Sequence, residues 1–218
     1  MTTFPELLTR ARGLHARCRR TVIGIAGSPG AGKSTLVAAL RAGLSADLGA
    51  GVVAHVPMDG FHLADAELAR LGRLDGKGAP DTFDVGGYVA LLRRLRADTE
   101  DVIYAPAFER DLEQPVAGAI AVPRQARLVF TEGNYLLLSS GRWREVRPEL
   151  DEVWFCDPRS EVRLEWLTAR HVAFGKAPRH AAAWVAIVDE PNATLVEATR
   201  DRADLLVPNA VLESLPVS

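Results

Sequence analysis

The sequence has little cysteine, few aromatic residues and no excess of charge of either sign, and each shortage removes a class of explanation. Its 218 residues hold two cysteines, Cys18 and Cys156, far apart and outside any Cys-x-x-Cys or Cys/His ligand spacing. That argues against a disulfide framework or a zinc site and leaves reduced, buried thiols as the expectation. Lysine and arginine (26) nearly balance aspartate and glutamate (28), for a formal net charge of −2. Proteins that grip nucleic acid through many phosphates carry a basic face or tract, so no nucleic-acid partner is expected. No apolar run approaches a membrane span, and the first twenty residues carry Arg10, Arg12, Arg17, Arg19 and Arg20 where a signal peptide would be apolar. The expectation is a cytoplasmic protein with no membrane partner. Without repeats or linker-like segments, residues 1–218 read as a single domain with one sizeable core.

What is present is a complete phosphate-binding loop, Gly27-Ser28-Pro29-Gly30-Ala31-Gly32-Lys33-Ser34, between the apolar run Thr21 to Ala26 and the helix-forming stretch that begins at Thr35. Each residue type has a task. The glycines let backbone N–H groups face an anion, and the following helix adds the positive end of its dipole. Lys33 reaches the β- and γ-phosphates, and the Ser34 hydroxyl can ligate Mg²⁺. A nucleoside triphosphate is therefore the expected ligand, ATP with Mg²⁺ in the first place, held by residues 27–35.

Around that loop the patterning predicts an α/β three-layer sandwich with a mainly parallel sheet. Leu7, Leu8, Ala11 and Leu14 recur at helical spacing in residues 4–20. A helix over 33–48 leads to a strand over 52–58, a right-handed β-α-β unit that sets Asp59 beside the phosphate loop. Residues 62–80 read as polar and glycine-rich loop, and 85–96 as a helix. Short strands near 102–104 and 116–122 suggest an appended hairpin. Buried strands are predicted over 126–131, 152–156 and 204–207, with helices over 160–174, 178–189 and 192–202. The apolar helices and the hairpin make a homodimer plausible.

Phosphoryl transfer needs a held nucleotide, an acceptor oxygen relieved of its proton, and positive charge over the transferring group. Asp59, at a strand end, is the candidate base; a magnesium ligand or a turn residue before Gly60 are its other readings. Glu132 ends a buried strand and would face a desolvation cost without a partner, which suits a role at the metal or the acceptor, a turn-capping role being the alternative. Arg163 and Arg170, on a helix ending near Gly175, are candidates for charge over the γ-phosphate as parts of a small lid, or else members of a solvated helix face.

Taken together, Gly27 to Thr35, Pro57-Met58-Asp59-Gly60-Phe61-His62, Lys77 to Asp84 including Phe83, Tyr104 to Arg110, and Thr131-Glu132-Gly133-Asn134-Tyr135 resemble the uridine kinase, pantothenate kinase and phosphoribulokinase group of P-loop kinases. The resemblance spans most of the chain and is greatest to the bacterial "nucleoside/nucleotide kinase family" and to sugar-transport-associated kinases of the fructose type. It implies that Asp59 is the catalytic base, that Glu132 helps hold Mg²⁺, that Asp84 binds acceptor hydroxyls, and that Arg163 and Arg170 belong to a mobile lid. Phe61, His62, Phe83, Asp84, Arg110, Glu132, Tyr135 and Arg163 are thus expected on the acceptor side. The chain departs from the uridine kinase pattern at His62 and at Phe108-Glu109-Arg110, where a pyrimidine would be read; Arg110 could there recognise a carboxylate or phosphate on the acceptor instead, or pair with Asp111 or Glu113. The expected activity is ATP-dependent phosphorylation of a hydroxyl on a small molecule: a sugar, a nucleoside or a pantothenate-like compound. A regulatory or chaperone NTPase acting on a partner protein is the rival reading; no Asn-Lys-x-Asp guanine signature occurs.

Overall fold

A computed structural model of the chain describes residues 2–16 and 19–216; Cys18, expected as a buried thiol, and Arg17 lie outside the described residues. In chain order the regular elements are α1 (Phe4–His15), β1 (Thr21–Ala26), α2 (Lys33–Leu48), β2 (Val53–Pro57), α3 (Asp65–Leu71), α4 (Val85–Ala97), β3 (Val102–Glu109), β4 (Gln114–Pro123), β5 (Leu128–Gly133), β6 (Glu152–Asp157), α5 (Ser160–Ala173), α6 (Pro178–Trp184), α7 (Glu190–Glu197), β7 (Leu205–Pro208) and α8 (Asn209–Glu213). Five strands form one sheet in the order β2-β5-β1-β6-β7, every neighbour parallel. β3 and β4 pair antiparallel as a separate hairpin.

The strands are apolar on both faces because both faces are covered. In β1, Val22 and Ala26 join one core, with Tyr88, Leu92, Val129, Val153 and Phe155, while Ile23 and Ile25 join the other, with Leu7, Leu36, Leu40, Phe130 and Trp154. That period of two, shared by neighbouring strands in register, makes the three layers: α4 and the hairpin on one side, α1, α2 and α8 on the other. The parallel sheet places the C-terminal ends of β1, β2 and β5 at one edge, where open α/β sheets bind ligands.

Four features differ from the sequence-based expectation. The predicted loop over 62–80 contains α3, whose seven residues bury only Leu68, too little for a detectable period. The hairpin strands are longer than expected, and β4 begins at Gln114. The helices predicted over 178–189 and 192–202 are one continuous run in which α6 and α7 are joined by a π-helical segment, Val185–Asp189. Pro191 has no N–H to give Ile187, so the ordinary ladder is interrupted there, and the Asn192 side chain donates to the Val188 carbonyl instead. Finally, the helical spacing read over residues 4–20 ends as α1 at His15, which leaves Arg20 outside the helix. Arg20 is fully buried, donates to the carbonyls of Ala126 (2.9 Å) and Pro123 (3.2 Å), and lies 3.1 Å from Asp98. One guanidinium, with five donors, thereby ties the start of β1 to the ends of α4 and β4.

The hairpin is seated by a close approach of backbones. A Cβ at Gly60 would lie 2.7 Å from the carbonyl carbon of Pro106 and closer still to its oxygen, whereas a Cβ at Gly13, inside α1, would meet nothing within 4 Å. Gly60→Ala is therefore expected to cost about 2 kcal/mol, within the usual range for overpacking. Gly13→Ala should stabilise by about 0.5–1 kcal/mol through helix propensity. Urea unfolding of both variants checks the pair, and equal effects would contradict the packing of the hairpin on residue 60.

Candidate active site

The strand β1 runs straight into the phosphate loop, whose glycines supply positive backbone angles: φ is +79° at both Gly30 and Gly32. Gly30 also has to be glycine for space. A Cβ there would sit 2.7 Å from that of Leu167 and 3.0 Å from the Arg163 carbonyl, so α5 packs directly on the loop. The loop then opens a cleft of about 810 Å³. Its walls include Pro29 to Thr35, Asp59, His62, Phe83, Arg110, Glu132, Asn134 and Arg170.

The Lys33 ammonium is buried and fully engaged. It donates to the carbonyls of Gly27 and Ser28, both at 2.9 Å, and to Asn134 Oδ1 at 2.7 Å. Burial lowers its pKa, and the charge of Glu132 pulls it back up. Ser34 donates its hydroxyl to Glu132 Oε1 at 2.8 Å. The Glu132 carboxyl, 7% exposed, is pushed up by burial first and by the charge of Asp59 second, with Lys33 and the Ser34 bond opposing. A carboxylate held in this way is short of positive charge.

That shortage bears on the metal. Ser34 and Glu132 offer hard oxygen donors at one point beside the phosphate loop, and among the described residues no group of three or more His, Cys, Asp or Glu side chains forms a closed cage. Mg²⁺ binds characteristically through one or two carboxylates, waters and substrate phosphates rather than an all-protein cage, so the residues fit it.

Several residues expected on the acceptor side lie elsewhere. Asp84 caps α4, accepting from the Gly87 N–H at 2.8 Å. Phe61 is buried against Tyr88, ring centroids 5.1 Å apart. Tyr135 is buried and donates to the Gly78 carbonyl. Arg163 runs beneath the phosphate loop, donating to the Pro29 carbonyl at 3.1 Å and pairing with Glu190 at 2.5 Å. Ser28, a loop residue, is itself buried and hydrogen-bonds to Glu197. These side chains do not line the cleft; Asp59, His62, Phe83, Arg110, Glu132 and Arg170 are the ones brought together there. His62 sits between Phe83, with centroids 4.0 Å apart, and Phe108, at 5.0 Å, and burial lowers its pKa.

Sequence reasoning missed three participants. Asn134 was visible only as a neighbour of Glu132, and its tie to Lys33 depends on the way β5 ends. Asp189 reaches the cleft from the π-helical segment and accepts from His171 Nε2 at 2.8 Å. His55, on β2, points its Nε2 toward Glu132 at 3.9 Å, and that nitrogen is buried without a hydrogen-bond partner. Its alternation on a short strand carried no distinguishing mark.

Burial lowers the pKa of His55 from 6.5 to about 4, with Arg41 adding to the effect. The folded state therefore resists protonation that the unfolded chain accepts. Stability is full above about pH 6.5 and declines as pH falls toward about 4. His55→Leu should flatten that decline, measured as the drop in urea midpoint between about pH 7.5 and about pH 5; a drop as large as in the unmodified protein would contradict the assignment.

No protein-family model matches the chain. Individual proteins do. The Schizosaccharomyces pombe protein named "Putative uridine kinase C227.14" is 31% identical over 219 residues, 99% of this chain and 92% of its own length. The pantothenate kinase of Leifsonia xyli is 31% identical over 218 residues, covering 89% of this chain and 67% of its own. A crystal structure from Silicibacter sp. TM1040, described as a "putative fructose transport system kinase", superposes with a TM-score of 0.85 at 33% identity, over 95% of this chain and all of that one. With the phosphate loop, the parallel sheet and the strand-end acids already in place, these similarities establish that the chain belongs to the P-loop kinases of the uridine kinase and pantothenate kinase group.

Proposed function

We propose that the protein transfers the γ-phosphoryl group of ATP to a hydroxyl of a small metabolite, with Asp59 as the general base. The observation that carries this reading is the sharing of one cleft by the phosphate loop and Asp59, at the ends of strands two places apart in the sheet. Pairs of acids at such edges occur in many nucleotide-binding sites. Here Asp59 stands between the donor side and a wall of His62, Phe83 and Arg110, where an acceptor would lie.

The chain's own residues supply the remaining parts. Lys33 exchanges its loop and Asn134 acceptors for phosphate oxygens, which hold a cation better than neutral carbonyls do. Ser34 and Glu132 would hold Mg²⁺, which when bound neutralises charge on the phosphates. Arg170 faces the cleft and feels the charges of Asp59, Asp189 and Glu132, so it is placed to meet charge on the transferring group. Asp59 accepts the proton of the acceptor hydroxyl. Closure of the neighbouring helices over the cleft would exclude water and keep hydrolysis slow.

Asp59→Asn keeps the shape and removes the base. Acceptor-dependent ADP formation should fall at least ~100-fold, in line with the usual contribution of a general base, while ATP affinity measured by calorimetry stays within a few-fold of the unmodified protein. Undiminished transfer would contradict the role of Asp59, and ADP formation that no acceptor stimulates would favour an NTPase instead.

A further inference from the structure

The cleft has a donor end, where Lys33, Ser34 and Glu132 meet, and a far wall that includes Lys77, Gly78, Phe83 and, from the β3–β4 turn, Arg110. The lysine of that wall is paired off: Lys77 bonds to Asp65 at 2.6 Å and also to the Glu113 carbonyl. Arg110 is different. Among the described residues it makes no ion pair, with neither Asp111 nor Glu113, although both are close in sequence. Its guanidinium carbon lies 5.0 Å from the centroid of the Phe174 ring, across from the hairpin at the end of α5.

Stacking of this kind holds a guanidinium by its face and leaves the N–H donors at its edge open. The open edge belongs to a residue that lines the cleft. Arg110 also lies near enough to Arg170 for the two positive charges to act on each other. Arg170 likewise has no ion-pair partner among the described residues. Of the two, Arg170 feels the charges of Asp59, Asp189 and Glu132, whereas the second, Arg110, pairs with no carboxylate among the described residues, so an anion beside it would relieve the repulsion between them. The planar fork of the second suits a carboxylate or a phosphate ester, each of which takes two parallel hydrogen bonds.

We infer that the phosphoryl acceptor carries an anionic group, a carboxylate or a phosphate ester, and that Arg110 is the residue that recognises it. This rests on the transfer reading above and narrows it: the acceptor has a hydroxyl that reaches Asp59 and an anionic end that reaches the hairpin turn. Asp59 and Glu132 repel such a molecule from the donor end, so the two charges also fix which way round it lies. Phe174, 57% exposed, has its function in this arrangement as the plate against which Arg110 rests.

The test uses matched pairs of probes that differ in charge: ribose 5-phosphate against ribose for the phosphate source, and gluconate against glucose for the carboxylate source. Binding is measured by calorimetry with the phosphate loop filled by Mg²⁺ and a non-hydrolysable ATP analogue. At least one charged probe should bind tenfold or more tightly than its neutral partner, and the pair that does so identifies the source. Arg110→Gln should abolish that difference, Arg110→Lys should restore part of it, and Arg144→Gln, an exposed arginine outside the cleft, should leave it intact. Where the charged probe is also turned over, Arg110→Gln should raise KM at least tenfold with a smaller change in kcat. Equal binding of charged and neutral partners in both pairs overturns the inference, as does a charge preference that survives Arg110→Gln. Binding is read apart from ADP formation: charge-selective binding lost in Arg110→Gln, with no ADP formed from any probe, upholds the anion site and counts against the transfer reading alone.

Discussion

The site depends on one buried positive charge. An ammonium taken out of water must recover its hydration from the protein, and Lys33 does so with three acceptors: two carbonyls of its own loop and the amide oxygen of Asn134. The loop carbonyls are free to turn inward because glycine occupies the positions with positive φ. Asn134 is available because β5 lies beside β1 in register, so that the residues just past the two strands come level. The same pairing brings Glu132 within reach of Ser34. Chain curvature, strand order and electrostatics are thus coupled at this point.

The surrounding groups can be understood from the charge this arrangement leaves over. Lys33 offsets only part of what Glu132 and Asp59 bring, and burial of Glu132 pushes its carboxyl toward the protonated form. A buried carboxylate left short of positive charge in this way has a natural remedy in a bound divalent cation. The thiol of Cys156, just below the loop, is pushed up to about 12 by burial and contributes packing rather than reactivity. Away from the cleft, ion pairs such as Arg200 with Asp157 and Arg163 with Glu190 fix the helices behind the loop. Arg163 illustrates how a residue of the right type on the right helix can serve the scaffold: it donates to the Pro29 carbonyl of the loop, about two helical turns from Arg170, which lines the cleft.

Much of the architecture was legible because the determinants are local and repetitive. Apolar runs on strands buried on both faces, glycines at the loop, and the helical period of Leu36, Val37, Leu40 and Leu44 need only neighbours in sequence to be recognised. The acids at strand ends were legible for the same reason, since a β-α-β unit has one permitted hand and its strand ends share an edge. Less legible were short or composite elements. The seven residues of α3 offer one buried apolar side chain, and the π-helical segment arises from a proline acting on the turn before it.

By itself the sequence determined the phosphate loop, the layered α/β class and the candidacy of Asp59, Glu132 and Arg170, since each follows from residue type and spacing along a strand or helix, while Arg110 was singled out through the family resemblance. Only the tertiary structure decided which candidates share a cavity. Asp84, Phe61, Tyr135 and Arg163 have the same chemistry wherever they are placed, and it is packing that turned them to a helix cap, a core ring pair, a loop carbonyl and the underside of the phosphate loop. The unpaired state of Arg110 belongs to the same category. Asp111 and Glu113 are its near neighbours in sequence, but the turn carries them away from its guanidinium, and an ion pair is a matter of distance in space.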